Sequence, residues 1–338
     1  MKRKIILPLM VALTITGCSA TTEVNNETGA SDTVQEQSAN YPTSFEVSDN
    51  EGNTYTQTFE QAPTRVITNN QSSLELLLEL GLEDSIIGTI ALDNPVPEHL
   101  EEAFSKIEVI TESKTEPAKE VIVGMNPDLV IGRAATFTDD KYGTIPSLNE
   151  MNINVYTQLA SLMNGEQSLN NIFEDIKNVG KIFNVEEKAN TLASELENRL
   201  NAVKEKVESK NEEPLKVMVM TAYNDGSYNV FGANATFQNE ILDVIGGYNI
   251  NEKGGEQTLE NLLELNPDVI LYVYNNKNLE LDQVAVDSLY NNSLVQSVSA
   301  IANDKVIEVS YTEFMGYGHR IIDCIENLAE ELHPEIFN

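Results

Sequence analysis

Residues 45–60, FEVSDNEGNTYTQTFE, alternate apolar and polar side chains on either side of Asp49-Asn50-Glu51-Gly52. This period of two about a turn predicts a β-hairpin. A different rhythm follows. RVITNN reads as a short apolar strand, QSSLELLLELGLED as a helix whose leucines keep helical spacing until Gly81, and SIIGTI as another strand. Extended segments are then expected at 107–110, 128–132 and 154–158, with helices at 97–104, 117–125 and 145–151. Repeated strand-helix crossovers build a mostly parallel sheet covered by helices, so the expected fold class is α/β.

Helical pattern continues from about Leu169 through Phe183 and from Val185 to about Ser209. In the second stretch Ala189, Leu192, Leu196, Leu200, Val203 and Val207 step by three or four, which gives one apolar face. A helix of that length spans about 35 Å, enough to pass from one lobe to another, although a long surface helix would show the same pattern. After Pro214 the strand-helix rhythm restarts with KVMVMTAY, TFQNEILDVIGG, TLENLLELN and DVILYVY.

The chain contains an internal repeat. KEVIVGMNPDLVIG, from Lys119, matches LENLLELNPDVILY, from Leu259, with Glu120 over Glu260 and Asn126-Pro127-Asp128 over Asn266-Pro267-Asp268. In each copy the proline is expected to stop a helix and impose extended backbone before a strand. Two copies on either side of the long helix predict two lobes of similar topology, with a ligand cleft between them at the carboxyl ends of the strands. After a helix-like stretch at 294–301 and a strand at 305–309, Gly316 and Gly318 precede an amphipathic helix from about His319 to Leu332. Cys324 lies among its isoleucines and reads as a buried, unreactive thiol.

The first residues differ from all of this. Lys2, Arg3 and Lys4 precede an apolar run from Ile5 to Ile15, too short for a comfortable membrane span and typical of a secretory signal. Ile15-Thr16-Gly17-Cys18 resembles a bacterial lipobox, which implies a signal peptide over 1–17 and diacylation of Cys18 as a membrane anchor. Residues 18–44 hold hardly any bulky apolar side chain and read as a flexible tether. The expected organisation is completed by an N-terminal lobe at 45–165, a helical region at 166–212 and a C-terminal lobe at 213–338.

Composition narrows the function. The 338 residues carry 54 acidic and 21 basic side chains, a formal charge of -33. A nucleic-acid partner is not expected, because a backbone binder needs a basic face to replace condensed counterions. Two cysteines cannot form a disulfide framework. His99, His319 and His333 are scattered, and no HExxH, paired-cysteine, GxGxxG, GxxxxGK[ST] or GxSxG segment occurs. No enzyme activity, resident cofactor or protein-held metal is expected; the competing class is an extracytoplasmic enzyme on this fold.

Residues 60–333 resemble the solute-binding proteins of bacterial ABC importers, in the group whose lobes are joined by one long helix and which serves ferric siderophores, haem and cobalamin. The resemblance is carried by APTRVITNNQSSLELLLELGL, EVIVGMNPDLVIG, VFGANATFQNEILDVIGGYNI, LENLLELNPDVILYVY and GHRIIDCIENLAEELHPE. It implies a periplasmic-binding-protein-like fold of class III and a monomer anchored on the outer face of the cell membrane. It also implies an ABC permease dimer with its ATPase as partner. In this group a glutamate of each lobe docks to permease arginines, and the matching positions are Glu120 and Glu260.

Ligand contacts are expected just past the strand ends. Asn69 and Asn70 follow RVIT, Arg133 follows DLVIG, Tyr156 closes the first lobe's last strand, and Tyr223 with Asn224 follows KVMVMTA. Phe231, Tyr272, Tyr274, Tyr311, Phe314 and Tyr317 enrich the second lobe, although Tyr272 and Tyr274 also fit ordinary strand packing. Arg133 is the principal candidate, since a guanidinium pairs bidentately with carboxylate or catecholate oxygens of an iron chelate. Arg320 matches a recurrent family arginine near the cleft but stands at a helix start, where a structural role is equally open. His319 stands where the family often has proline. The expected cargo is a ferric siderophore, with cobalamin or haem as the alternative; scattered histidines disfavour haem coordination.

Overall fold

Short apolar runs separated by helices assemble into two sheets, and their strand order shows where the chain crosses over. The computed structural model describes residues 40–111, 116–163, 167–224, 226–274 and 279–337. The expected export signal, Cys18 and the expected tether as far as residue 39 lie outside the described residues. The first element is an antiparallel hairpin in which β1 (Thr43–Ser48) pairs with β2 (Thr54–Phe59). Its turn is held by the Asp49 carboxylate, which accepts the backbone N–H groups of Glu51 and Asn53 and the Tyr55 hydroxyl. The folded body begins slightly before residue 45, and Tyr41 already donates its hydroxyl to the Ile182 carbonyl at 2.6 Å.

The N-terminal lobe holds a wholly parallel sheet in the order β5-β4-β3-β6-β7. Its strands are β3 (Val66–Thr68), β4 (Ile86–Ile90), β5 (Val109–Thr111), β6 (Leu129–Gly132) and β7 (Asn154–Thr157). The second sheet contains β8 (Leu215–Asn224), β9 (Ser227–Val230), β10 (Gly247–Asn249), β11 (Gly255–Thr258), β12 (Val269–Tyr274) and β13 (Val306–Ser310). Here β10 and β12 are parallel to β8, and β13 to β12, but β9 is antiparallel to β8 and β11 to β9. The short connection from Asn224 to Ser227 has no room for a crossover helix, so the chain doubles back and the two lobes differ in topology.

Both faces of the second sheet are covered. Val217 and Val219 of β8 join the core that contains Phe237, Ile321 and Ile325, while Met218 and Met220 pack with Ile270, Tyr272 and Leu289 on the opposite side. Leu289 comes from the helix Leu279–Asn291, which sequence periodicity did not single out.

The helix Glu186–Ser209 follows the helix Asn170–Ile182 and, over 24 residues, spans about 36 Å. Ala189, Ala193, Leu196, Val203 and Val207 are its buried residues. The two helices approach closely at Gly180, where a Cβ would lie 2.4 Å from that of Ala189. Arg199 of the long helix pairs with Asp323 at 2.5 Å and with Glu326, both on the helix Ile321–Leu332.

The repeated Asn-Pro-Asp segments act through all three residues. The helices Lys119–Gly124 and Leu259–Leu265 are followed by asparagines in left-handed backbone, Asn126 at φ 51° and Asn266 at φ 45°. Asp128 accepts the backbone N–H groups of Thr64 and Arg65, and Asp268 accepts that of Lys216. The side chains of Arg65 and Lys216 in turn donate to the carbonyls of Asn126 and Asn266, each at 2.8 Å. The repeat therefore extends to the start of each lobe's central strand, and places Glu120 and Glu260 in the first turns of exposed helices.

Asp175 is buried in the N-terminal lobe, where it accepts the Tyr156 hydroxyl at 2.8 Å and the N–H groups of Leu159 and Ala160. Burial outweighs these contacts and pushes its carboxyl up from 3.8 to about 7. Between these values the folded state holds the proton that the unfolded chain has lost, so this group makes stability fall as pH rises from about 4 to about 7. Asp175→Asn is expected to flatten that slope in denaturant titrations run across this range. An unchanged slope would disprove the assignment.

Candidate ligand site at the lobe interface

The N-terminal side of the site is built from the loops after β3, β6 and β7. Gly132 ends β6 at φ 148°, and a Cβ there would lie 1.9 Å from Asn69 Oδ1, so glycine admits the asparagine against the backbone. Asn69 accepts the Arg133 N–H at 2.7 Å and donates to Thr136 Oγ1 at 2.5 Å. Asn70 donates to Gln158 Oε1 at 2.9 Å and to Ser72 Oγ at 2.6 Å. Both asparagines are buried and brace the strand-end loops, which fixes where Arg133 leaves the sheet.

The C-terminal side comes from the segment after β13. Ser310 caps the short helix Tyr311–Met315 by accepting the Glu313 N–H. Arg133 Nη1 donates to the Tyr311 hydroxyl at 3.2 Å and Nη2 to the Met315 carbonyl at 3.0 Å. The guanidinium carbon lies 5.5 Å from the Tyr311 ring centroid and 5.3 Å from that of Tyr317, within cation–π range of both. Burial opposes the cation, but the fields of Tyr311, Asp93 and Tyr317 outweigh it and hold the guanidinium above its usual pKa. Its Nε is buried and finds no hydrogen-bond partner among the described residues.

A polar seam continues behind this junction. The Thr312 N–H donates to Asn94 Oδ1 at 3.1 Å, its hydroxyl lies 3.0 Å from Gln71 Oε1, and the Ser72 hydroxyl donates to the Gly316 carbonyl at 2.5 Å. Arg320 reaches Glu75 at 3.1 Å and also pairs with Glu313. Glu75 is almost fully buried; burial raises its carboxyl and Arg320 opposes the shift. Breaking such a pair from one side leaves an uncompensated buried charge, so Arg320 serves the interface between the lobes.

The expected contact residues therefore separate into groups. Arg133 and Tyr311 meet, with Asn69 and Asn70 directly behind the arginine. Tyr156, Tyr223, Tyr272 and Phe314 instead fill the interiors of their lobes. The Tyr156 hydroxyl is taken by Asp175 and that of Tyr272 by Asp282, while Tyr223 accepts from Asn292. Asn224 is exposed at the end of β8 and Phe231 is half-buried. Gln71, Ser72, Asn94 and Thr312 were not among the expected contacts, whereas Tyr317 was counted with the aromatic residues of the second lobe. The signal for Gln71 and Ser72 was present in the polar NNQSS run ahead of the leucine-rich helix.

The histidines are less scattered than their spacing suggested. His99 and His319 both approach Glu79, at 2.7 and 3.8 Å, whereas His333 is committed to the Ile245 carbonyl. Among the described residues no group of three His, Cys, Asp or Glu side chains is placed to hold a metal ion, and no helix is long and apolar enough to cross a membrane.

Comparison with known proteins agrees with this architecture. The periplasmic binding protein family profile matches residues 66–311. An uncharacterized ABC transporter substrate-binding lipoprotein, YvrC of Bacillus subtilis, is 24% identical over 83% of this chain and 83% of its own. A cobalamin-binding protein of Halobacterium salinarum is 23% identical over 88% of this chain and 77% of its own. A periplasmic binding protein from Veillonella parvula superposes with a TM-score of 0.77 at 23% identity, covering 88% of this chain and 93% of that one. Other similar proteins carry names for haem uptake, petrobactin binding and ferric hydroxamate transport. With two α/β lobes and a family profile matched over most of its length, the chain belongs to the periplasmic binding protein family, as an ABC-importer solute-binding protein related to those for siderophores, haem and cobalamin.

Proposed function

We propose that this protein is the lipid-anchored receptor of an ABC importer, and that it captures an anionic ferric siderophore between its lobes and delivers it to the permease. The observation that carries the reading is Arg133. Its hydrogen bonds among the described residues go to the uncharged oxygens of Tyr311 and Met315, and its buried Nε has no acceptor among them. A buried donor without a partner is costly, and a carboxylate or catecholate oxygen would satisfy it while matching the charge. Phe231 and the exposed Asn224 are further candidates for the rim of the site. Cobalamin is the second reading, favoured by the name of the Halobacterium relative.

Arg133→Ala is expected to weaken binding of the preferred ferric chelate by about 2 to 5 kcal/mol, as for one desolvated charge partner, while the protein stays folded. Calorimetry with ferric citrate, a ferric catecholate, a ferric hydroxamate and cyanocobalamin tests both readings. Tight binding of cyanocobalamin and of no iron chelate selects the second, and unchanged chelate affinity in the variant removes Arg133 from the site.

Glu120 and Glu260 occupy equivalent exposed positions, which suits them to meet two arginines of a permease dimer. Replacing both with Lys is expected to abolish uptake in cells while ligand affinity and Tm stay close to wild type. Normal uptake at equal protein levels would reject the docking role.

Cys18 would carry the acyl chains that hold this monomer at the outer face of the cell membrane. Cys18→Ala is expected to lack the diacylglycerol, read by intact mass spectrometry. A wild-type N-terminus without lipid on residue 18 would refute the anchor.

A further inference from the structure

Tyr317 has a backbone conformation that its side chain does not favour. Its φ of 59° lies in the left-handed region, where an aromatic residue is a steric outlier. Its neighbours leave the chain little freedom to relax. The Met315 carbonyl accepts from Arg133, and the Gly316 carbonyl accepts from Ser72. A Cβ on Gly316 would lie 2.1 Å from the Thr312 carbonyl oxygen, and one on Gly318 would lie 2.4 Å from Ser72 Cβ. The turn is thus pressed against the N-terminal lobe on both sides of Tyr317.

The strained conformation has a use. It sets the Tyr317 ring 5.3 Å from the Arg133 guanidinium, while the same ring rests on Phe237 with centroids 5.2 Å apart. Phe237 is fully buried, so the ring is backed by core. Tyr311 supplies the second aromatic contact and one hydrogen bond. Strain of this kind persists where the surroundings over-determine it, and it concentrates at binding sites.

We infer that Tyr317 is a positioning residue for Arg133: clamped in left-handed backbone, it holds the guanidinium with Nη1 and Nη2 committed to the C-terminal segment and the Nε edge left for a ligand oxyanion. This rests on the reading of Arg133 as the ligand anchor. The ligand class that fits is one presenting an anionic oxygen to the Nε–H, with its second oxygen, as in a carboxylate, meeting the other N–H of a neighbouring Nη whose first N–H is already given to the C-terminal segment. Tyr317 orients the arginine and need not touch the ligand.

The test begins with the ligand-free, soluble protein labelled with 15N-arginine, so that it does not depend on cargo. Arg133→Lys assigns the Arg133 Nε–Hε resonance. In wild type and Tyr317→Phe that resonance is expected to be shifted by the aromatic ring and to show slow rotation about Cζ–Nε. In Tyr317→Asn, which accepts left-handed backbone but has no ring, both features are expected to be reduced to what Tyr311 alone supplies. Any ferric chelate bound by wild type should bind Tyr317→Asn about tenfold more weakly and Tyr317→Phe unchanged, the scale of one partly desolvated cation–π contact. An Arg133 resonance identical in Tyr317→Asn and wild type overturns the proposal, as does a Tyr317→Phe protein that behaves like Tyr317→Asn. If wild type binds none of the chelates, the siderophore reading fails and the resonance alone decides the positioning role.

Discussion

The guanidinium of Arg133 spans the two lobes, and much of the interface is arranged around holding it there. Asn69 fixes the arginine's backbone from one side, and Tyr311 and Met315 receive its side chain from the other. A cation so placed is tolerable only if its surroundings are polar, polarisable or oppositely charged, and hydroxyl, carbonyl and aromatic faces meet that need in part. Its buried Nε is left without a hydrogen-bond partner among the described residues. Behind it, Gln71, Asn94 and Thr312 together with Glu75, Arg320 and Glu313 tie the same two segments by hydrogen bonds and ion pairs that no single lobe could complete.

This arrangement divides the tasks of a transport receptor among different parts of the fold. The cores of the lobes take up Tyr156, Tyr223, Tyr272 and Phe314, whose hydroxyls, where present, are satisfied locally. At the strand-end loops, backbone geometry is set by asparagine side chains and glycines. The outward-facing helices that begin with Lys119 and Leu259 end in equivalent Asn-Pro-Asp caps, each tied to the start of its own central strand. Two exposed carboxylates are thereby mounted on rigid elements, a suitable way to present a docking surface. The long helix contributes a stiff connection whose apolar stripe packs on its neighbour and whose Arg199 grips the helix Ile321–Leu332.

Much of the fold was legible because its signals are local. The leucine spacing before Gly81, the alternation around Asp49 and the apolar stripe from Ala189 to Val207 each identify an element without reference to the rest of the chain. The doubled Asn-Pro-Asp exposed the two-lobed plan. The same signals failed where the deciding partner is distant or where spacing leaves a choice of topology. The strand after Asn224 was not distinguished as an antiparallel return, and the helix Leu279–Asn291 carries a weaker pattern than its neighbours.

The candidate site shows the same division. Strand ends followed by polar residues were readable, and of the residues chosen on that ground Arg133, Asn69 and Tyr311 meet at one junction. An aromatic residue past a strand end looks alike whether its ring points into a cleft or into a core, which is why Tyr156 and Tyr272 were selected too. Sequence by itself determined many of the elements, the repeat and the acidity, because each is written in local composition and spacing, while the family came from the resemblance of its motifs to known solute-binding proteins. Only tertiary structure decided that Tyr317 takes left-handed backbone against Arg133, and that Thr312 meets Gln71, 241 positions away in the sequence. Those outcomes depend on two surfaces being pressed together, and no local pattern records the shape of the opposing surface.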